Sequence, residues 1–215
     1  MKKVTFCLTS CNRWNLLQAT LNSFLNLNKY PIERFILHED SGNERICELI
    51  QEKYPFIEIL KSNRSGLLAS IDKLYALVDT SLVFHCEDDW YFSGNKNFME
   101  ESVKVLEERP DIHQVWIRKG IPKDWFVNVD YGYYKEIKPS HYGDWCGFSF
   151  NPGLRRLSDY KRMFPLGFNV YNKHGSNSVL SEHECNLVAS EQGYKAVLLN
   201  NPACTHTGDG QSTYK

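Results

Sequence analysis

At 215 residues, with 42% hydrophobic and 24% charged side chains, the chain is long enough to bury a core and has ordinary globular composition. A formal net charge of −1 gives no electrostatic reason to expect nucleic acid or a membrane surface as partner. No apolar run approaches the ~20 residues that span a bilayer, and the short apolar start is broken by Asn12 and Arg13, so it is no signal peptide. Seven cysteines without a Cys-x-x-Cys pair argue against a disulfide framework and for a reducing, cytoplasmic setting.

Lys3 to Ser10 is apolar and β-prone and predicts a first strand, which opens into Thr9, Ser10, Cys11, Asn12 and Arg13. Leu17, Leu21, Phe24 and Leu25 then recur at helical spacing, with Asn15 as N-cap and Tyr30-Pro31 as the stop. A second strand, Arg34 to Asp40, also ends in acid and turns at Ser41, Gly42 and Asn43. A helix over Glu44 to Lys53, a strand over Phe56 to Leu60, a loop at Ser62 to Gly66 and a helix over Leu67 to Leu77 follow. The next strand, Leu82 to Cys86, breaks abruptly into Glu87, Asp88 and Asp89. Strand and helix alternate with short links, which predicts an α/β fold with a mostly parallel sheet and helices on both faces.

After Trp90 the rhythm changes. The pattern predicts a helix over Asn97 to Glu108, a short strand over Val115 to Ile117, and loops with short strands over residues 120 to 145. Phe148 to Phe150 reads as another strand, Ser158 to Met163 and Ser181 to Gln192 as helices, the second closed by Gly193. Ala196 to Leu199 is a last strand, and Asn200 to Lys215 a polar tail.

Successive strand ends therefore place Thr9 to Arg13, Asp40 and Glu87 to Asp89 along one sheet edge, with the Arg64-to-Gly66 loop facing it. Open α/β sheets bind ligands at that edge. Three adjacent carboxylates repel one another, and a divalent cation with a taste for oxygen, Mn²⁺ or Mg²⁺, would relieve them. The plain alternative is a solvated acidic turn. The site has the parts a nucleotide needs: a carboxylate for base or ribose donors, a cation for phosphate, a metal for diphosphate charge. Neither a Gly-x-Gly-x-x-Gly fingerprint nor a Walker-type lysine loop is present.

With these pieces in place the chain resembles the GT-A glycosyltransferases of the family-2-like group. The similarity is carried by Phe6-Cys-Leu-Thr-Ser-Cys-Asn-Arg13, His38-Glu-Asp-Ser-Gly42, Asn63-Arg-Ser-Gly66 and Glu87-Asp-Asp89, then by Ser181-Glu182, Gly193 and Cys204-Thr-His206-Thr-Gly208. The compact length and opening also resemble the amino-terminal glycosyltransferase domains of chlorella-virus capsid-glycosylating enzymes. The resemblance implies one GT-A domain over 1–215, with residues 1–92 as the nucleotide-sugar half and 93–215 as the acceptor and catalytic half. It implies transfer of a hexose or deoxyhexose from a UDP-sugar to a glycan or glycoprotein acceptor with Mn²⁺ or Mg²⁺. Thr9, Ser10, Arg13, Arg64 and Gly66 would line the nucleotide, and Asp40 would hold the uracil. Glu87-Asp88-Asp89 would occupy the DxD position, with Asp89 the foremost metal ligand and Glu87 or Asp88 reaching the ribose or a metal-bound water. A glutamate at the first position departs from the commonest pattern. His206 would be a further metal ligand.

The base is open among three acids. Counting back from Gly193 puts Glu182 where the family carries its catalytic carboxylate, at a helix start whose dipole would keep it ionised. Glu184 and Asp144 compete, and Trp145 beside Asp144 suggests an aromatic contact to the acceptor. Two other function classes stand beside this one. A nucleotidyltransferase would carry a glycine-rich basic loop near the first strand, and that turn is Thr-Ser-Cys-Asn-Arg instead. A non-catalytic nucleotide- or sugar-binding module would have lost Asp89. A zinc site from Cys185, Cys204, His183 and His206 fits no standard spacing.

Overall fold

The computed structural model describes residues 1–120, 122, 125–127, 129, 131–138, 146–173 and 178–209. Four strands, β1 (Val4–Ser10), β2 (Arg34–Glu39), β3 (Ile57–Lys61) and β4 (Leu82–Glu87), alternate with α1 (Trp14–Leu27), α2 (Glu44–Lys53) and α3 (Leu67–Ala76). They are followed by β5 (Trp90–Phe92), α4 (Phe98–Glu108), β6 (Ile112–Trp116), β7 (Tyr134–Glu136), β8 (Gly153–Arg156), α5 (Leu157–Met163), α6 (Ser178–Glu191), β9 (Lys195–Leu199) and β10 (Cys204–His206). The main sheet runs β3-β2-β1-β4-β8-β6-β9-β7. Its first four strands are parallel, β6 and β9 are parallel, and β8 and β7 run antiparallel to their neighbours.

Side chains on β1 alternate between two cores, as a pleat requires. Phe6 and Leu8 join α1, α2 and α4 on one face, and Cys7 joins α3, α5 and α6 on the other. The first core is dense in rings: Phe24 on α1 stands 4.4 Å from Phe6 and 5.4 Å from Phe84 between ring centroids. Because β1 is buried along its whole length, it reads as an unbroken apolar run rather than an alternating one. The chain leaves β1 for β2 on one side and reaches β4 on the other. This opens a crevice above their carboxyl ends, where doubly wound sheets take ligands.

Four expectations change. Arg13, not Asn15, is the residue before α1, and it makes no side-chain cap. Phe148 to Phe150 is not a strand. Its backbone N–H groups go to side chains, and the strand that enters the sheet is β8, between β4 and β6. The tail is not uniformly irregular, since Cys204–His206 pairs antiparallel with Trp90–Phe92. Three residues are too few to display a period, so neither partner was visible as a strand. The proposed zinc set is separated: Cys185 lies in the core on one face and Cys204 in the core on the other. No helix among the described residues is long and apolar enough to cross a membrane.

Candidate functional site

The β1, β2 and β4 ends and the loop after β3 meet at the crevice. Thr9 sits in register with His38 on one side and Glu87 on the other. Two residues other than glycine take positive φ among the described residues, Asn12 at 57° and Arg64 at 54°, and both lie on loops at this edge. Such backbone is uncommon outside glycine and needs surrounding contacts to hold it. Asn12 is held by its N–H to Glu39 Oε1 (2.9 Å) and by its side-chain oxygen, which accepts from Asn43 Nδ2 at 2.9 Å. Arg64 is held by its N–H to the Asp40 carbonyl at 2.7 Å, and its side chain is exposed.

Asp40 is fully buried and shapes the loop after β3. Its Oδ1 accepts from the Ser62 hydroxyl (2.5 Å), the Ser65 N–H (2.8 Å) and the Ser65 hydroxyl (2.7 Å), and its Oδ2 from the Gly66 N–H (2.8 Å). Burial pushes the carboxyl pKa up, but these donors outweigh it and hold the group at about 2. Sequence reasoning placed a uracil on Asp40; the structure gives both oxygens to the Ser62–Gly66 loop. Its neighbour Glu39, which sequence reasoning passed over, is also buried. Glu39 Oε1 takes the Asn12 and Ser41 N–H groups (2.9 and 3.1 Å), while Oε2 is buried without a hydrogen-bond partner among the described residues. Gly66 caps α3 at φ 92°, a conformation rather than a space only glycine suits, since a Cβ there would touch nothing within 4 Å.

The three acids after β4 are treated differently. Glu87 is half-buried, and its pKa is pushed up to about 8 by burial and then by Asp89, Glu182 and Asp88. Asp88 is fully buried. Burial pushes it up to about 6 against the opposing pull of Arg13, whose Nε and Nη2 both donate to it. The Ser10 hydroxyl also lowers Asp88, the least of these influences. Arg13 Nη1 also reaches Asp89 Oδ2 at 3.0 Å. The arginine expected against the nucleotide is therefore occupied as the counter-charge of the acids. Thr20 on α1 fixes the turn from behind, donating to the Asp88 carbonyl (2.8 Å) and accepting from the Trp90 N–H (3.1 Å).

Asp89 is joined to the far end of the chain. His206 Nε2 lies 3.4 Å from Asp89 Oδ2, while Nδ1 is 2.9 Å from Asp209 Oδ1. The Thr207 N–H and hydroxyl both donate to the Asp89 carbonyl, at 2.8 and 2.9 Å. Gly208 packs so closely that a Cβ there would stand 2.4 Å from Asp89 Oδ2. Asp89 Oδ1 is buried with no hydrogen-bond partner among the described residues. A carboxylate oxygen and an imidazole nitrogen side by side suit Mn²⁺, so these two residues fit such an ion. Among the described residues no three His, Cys, Asp or Glu side chains form a metal-binding group, so Glu87 does not complete a protein-only cage.

Glu182 approaches from the other face. As described, α6 begins at Ser178, so Glu182 stands in its second turn rather than at its start. Burial raises its pKa, partly offset by the Phe150 N–H, the Ser149 hydroxyl, Arg155 and Arg118. The expectation that a helix dipole keeps it ionised gives way to burial that holds it nearer neutrality. Its Oε2 accepts from the Phe150 N–H at 3.1 Å. Glu184 is in an ion pair with Lys173 at 3.1 Å. Asp144 and Trp145 lie outside the described residues. Arg118, unremarked in the sequence, lies over the Trp90 ring at 5.3 Å and faces Glu182. Nothing in its surroundings in sequence marked it.

Comparison with solved structures finds the same fold. S. aureus TarS 1–349 superposes with a TM-score of 0.70 at 14% identity, covering 96% of this chain and 60% of that one. The same TarS segment solved with UDP-GlcNAc gives 0.72 at 12% identity, covering 99% and 60%. The mannosyltransferase PcManGT from Pyrobaculum calidifontis, solved with GDP-Man and Mn²⁺, gives 0.66 at 13% identity, covering 99% and 59%. The chain thus spans about 60% of the length of these structures, and at this identity the likeness establishes a GT-A fold. No curated protein matches the sequence. The profile of Glycosyl transferase family 2 matches residues 5–182, from the start of β1 through Glu182. The chain belongs to glycosyl transferase family 2.

Proposed function

We propose that the protein is a metal-dependent, inverting glycosyltransferase that moves a hexose or deoxyhexose from a UDP-sugar to a hydroxyl of a glycan acceptor. The observation that carries this reading is Asp89 at the crevice between β1 and β4, with its Oδ2 3.4 Å from His206 Nε2 and its Oδ1 buried without a hydrogen-bond partner among the described residues. Asp89 and His206 would hold the divalent ion. When bound, it would supply positive charge against the leaving diphosphate. The family match and the nucleotide-sugar complexes of TarS and PcManGT support a sugar nucleotide as donor.

In this reading Thr9, Ser10 and the Asp40-anchored Ser62–Gly66 loop form the walls of the nucleotide site. Glu87 reaches the ribose. The exposed Arg64 adds a cation for the diphosphate. Arg13 keeps Asp88 and Asp89 together as a fixed pair. Glu182, one oxygen tied to the Phe150 N–H, takes the acceptor's proton with the other. The acceptor oxygen bonds to the anomeric carbon as the bond to the diphosphate oxygen breaks. The electron pair leaves with UDP, and the centre inverts through an oxocarbenium-like state. Asp144 is the alternative base and Trp145 an acceptor contact.

Calorimetric titration of UDP, with and without Mn²⁺, on the wild type and Asp89→Ala tests the reading. Mn²⁺-dependent binding that Asp89→Ala abolishes is the expected result. Binding indifferent to both metal and substitution would overturn it.

A further inference from the structure

Residues 146–151 cross the second face of the sheet without joining a strand, and side chains take their backbone groups. Asn186 Oδ1 accepts the N–H groups of Cys146 (2.9 Å) and Phe148 (3.3 Å). Gln114 accepts the Ser149 N–H at 3.2 Å and donates to the Asn151 carbonyl at 3.3 Å. Glu182 Oε2 accepts the Phe150 N–H at 3.1 Å. Glu182 and Asn186 are one turn apart on the same side of α6, so one helix face grips this segment.

Behind the segment stands Arg155 of β8, only 5% exposed, whose Nη2 donates to the Ser149 carbonyl. The Ser149 carbonyl and the Phe150 N–H are the two ends of one planar peptide group. A buried guanidinium, a peptide dipole and a carboxylate therefore stand in series, each polarising the next. Among the described residues the other contacts of Arg155 are uncharged, the Tyr75 hydroxyl at 3.5 Å and the Phe148 ring at 5.6 Å, and its Nε has no hydrogen-bond partner there. His85 on β4 and His113 on β6 also feel Arg155, and burial followed by that cation holds both on the neutral side. Glu182 is itself faced by Arg155, by Arg118 beyond β6 and by Glu87 at the end of β4. A buried cation without a counter-charge is unfavourable, and Glu182 is the acid set to answer it.

We propose that Arg155 is a positioning residue for Glu182: through the Ser149–Phe150 peptide it fixes Oε2, and with it the orientation of the carboxylate toward the acceptor. This rests on Glu182 as the base. The test measures UDP release with Mn²⁺ from whichever of UDP-glucose, UDP-GlcNAc and UDP-galactose the wild type uses fastest. Arg155→Met should lower kcat about tenfold or more with donor KM and UDP affinity within about twofold, and Arg155→Lys should recover most of the loss. A folded Arg155→Met with unchanged kcat overturns the proposal, as does a parallel loss of kcat and UDP affinity in both variants. If Arg155→Met does not fold, Arg155→Lys is compared in wild-type and Glu182→Gln backgrounds. No further loss in the Glu182→Gln background supports the relay, and the same fold-loss in both overturns it. Wild-type turnover by Glu182→Gln alone would instead remove the base itself, an outcome separate from any result at Arg155.

Discussion

The imidazole of His206 stands 3.4 Å from the carboxylate of Asp89, although one belongs to β10 and the other to the turn after β4. The short β5–β10 ladder makes this possible. It aligns His206 with Trp90, and their rings lie 5.1 Å apart. The family-2 match ends at Glu182, so this half of the proposed metal site lies beyond the matched stretch.

His206→Ala removes one of two proposed protein ligands, and Gly208→Ala forces a Cβ to within 2.4 Å of Asp89 Oδ2. Both should weaken Mn²⁺-dependent UDP binding by about 10- to 100-fold, the usual penalty for disturbing a metal's ligand or its support. UDP titrations across a Mn²⁺ series check this. Unchanged Mn²⁺ dependence in both variants would detach the tail from the site.

Glu182→Gln keeps the size of the side chain and an acceptor for the Phe150 N–H but cannot take a proton. Turnover should fall by about 100- to 10,000-fold, as loss of a general base does, with UDP affinity unchanged. In the wild type, burial raises the Glu182 pKa. Activity, which needs the carboxylate, should therefore rise with pH along a limb set above the ordinary glutamate value of about 4.3. A pH series of kcat/KM checks the limb's position and its loss in the variant.

The sequence made the carboxyl-edge cluster legible because strand ends are sharp events: the apolar run from Leu82 to Phe84 gives way, after His85 and Cys86, to three successive acids. Asp40 and the three acids do stand at the carboxyl ends of β2 and β4, with His206 beside Asp89. The roles within this cluster were not legible. That Asp40 also holds its own loop depends on Ser62 and Ser65, which the pattern marks only as turn residues. That Arg13 spends its fork on two aspartates depends on how α1 meets the β4 turn, a tertiary fact. Phe148-Ser-Phe alternates like a strand, yet Asn186, Gln114 and Glu182 take its N–H groups, and no periodicity records such a competitor.

Arg13 bridges a fully buried Asp88 and a nearly buried Asp89, with its own side chain 17% exposed. Arg13→Met should therefore leave two adjacent buried carboxylates without their cation and destabilise the fold by about 3–5 kcal/mol, the cost of breaking a buried pair. Arg13→Lys should recover part of it, because a point charge cannot serve both aspartates as a fork does. Urea unfolding of the three proteins measures the difference. A loss below about 1 kcal/mol in Arg13→Met, the scale of an exposed pair, would mean that water reaches this turn.

Asp40 gives a pH dependence whose sign follows from its donors. Its folded pKa, about 2, lies below the unfolded value of about 3.9, so the unfolded chain binds the proton first as pH falls. The carboxylate's contribution is therefore complete above about pH 5 and lost as pH falls through 4 toward 2. Asp40→Asn cannot carry the charge that gathers the Ser62, Ser65 and Gly66 donors. It should be less stable than the wild type at pH 7 by on the order of 1–2 kcal/mol, and the gap should close toward pH 2. Urea midpoints for both proteins from pH 7 to pH 2.5 test this. A gap that stays constant would mean that the Ser62–Gly66 loop is held by shape rather than by the charge of Asp40.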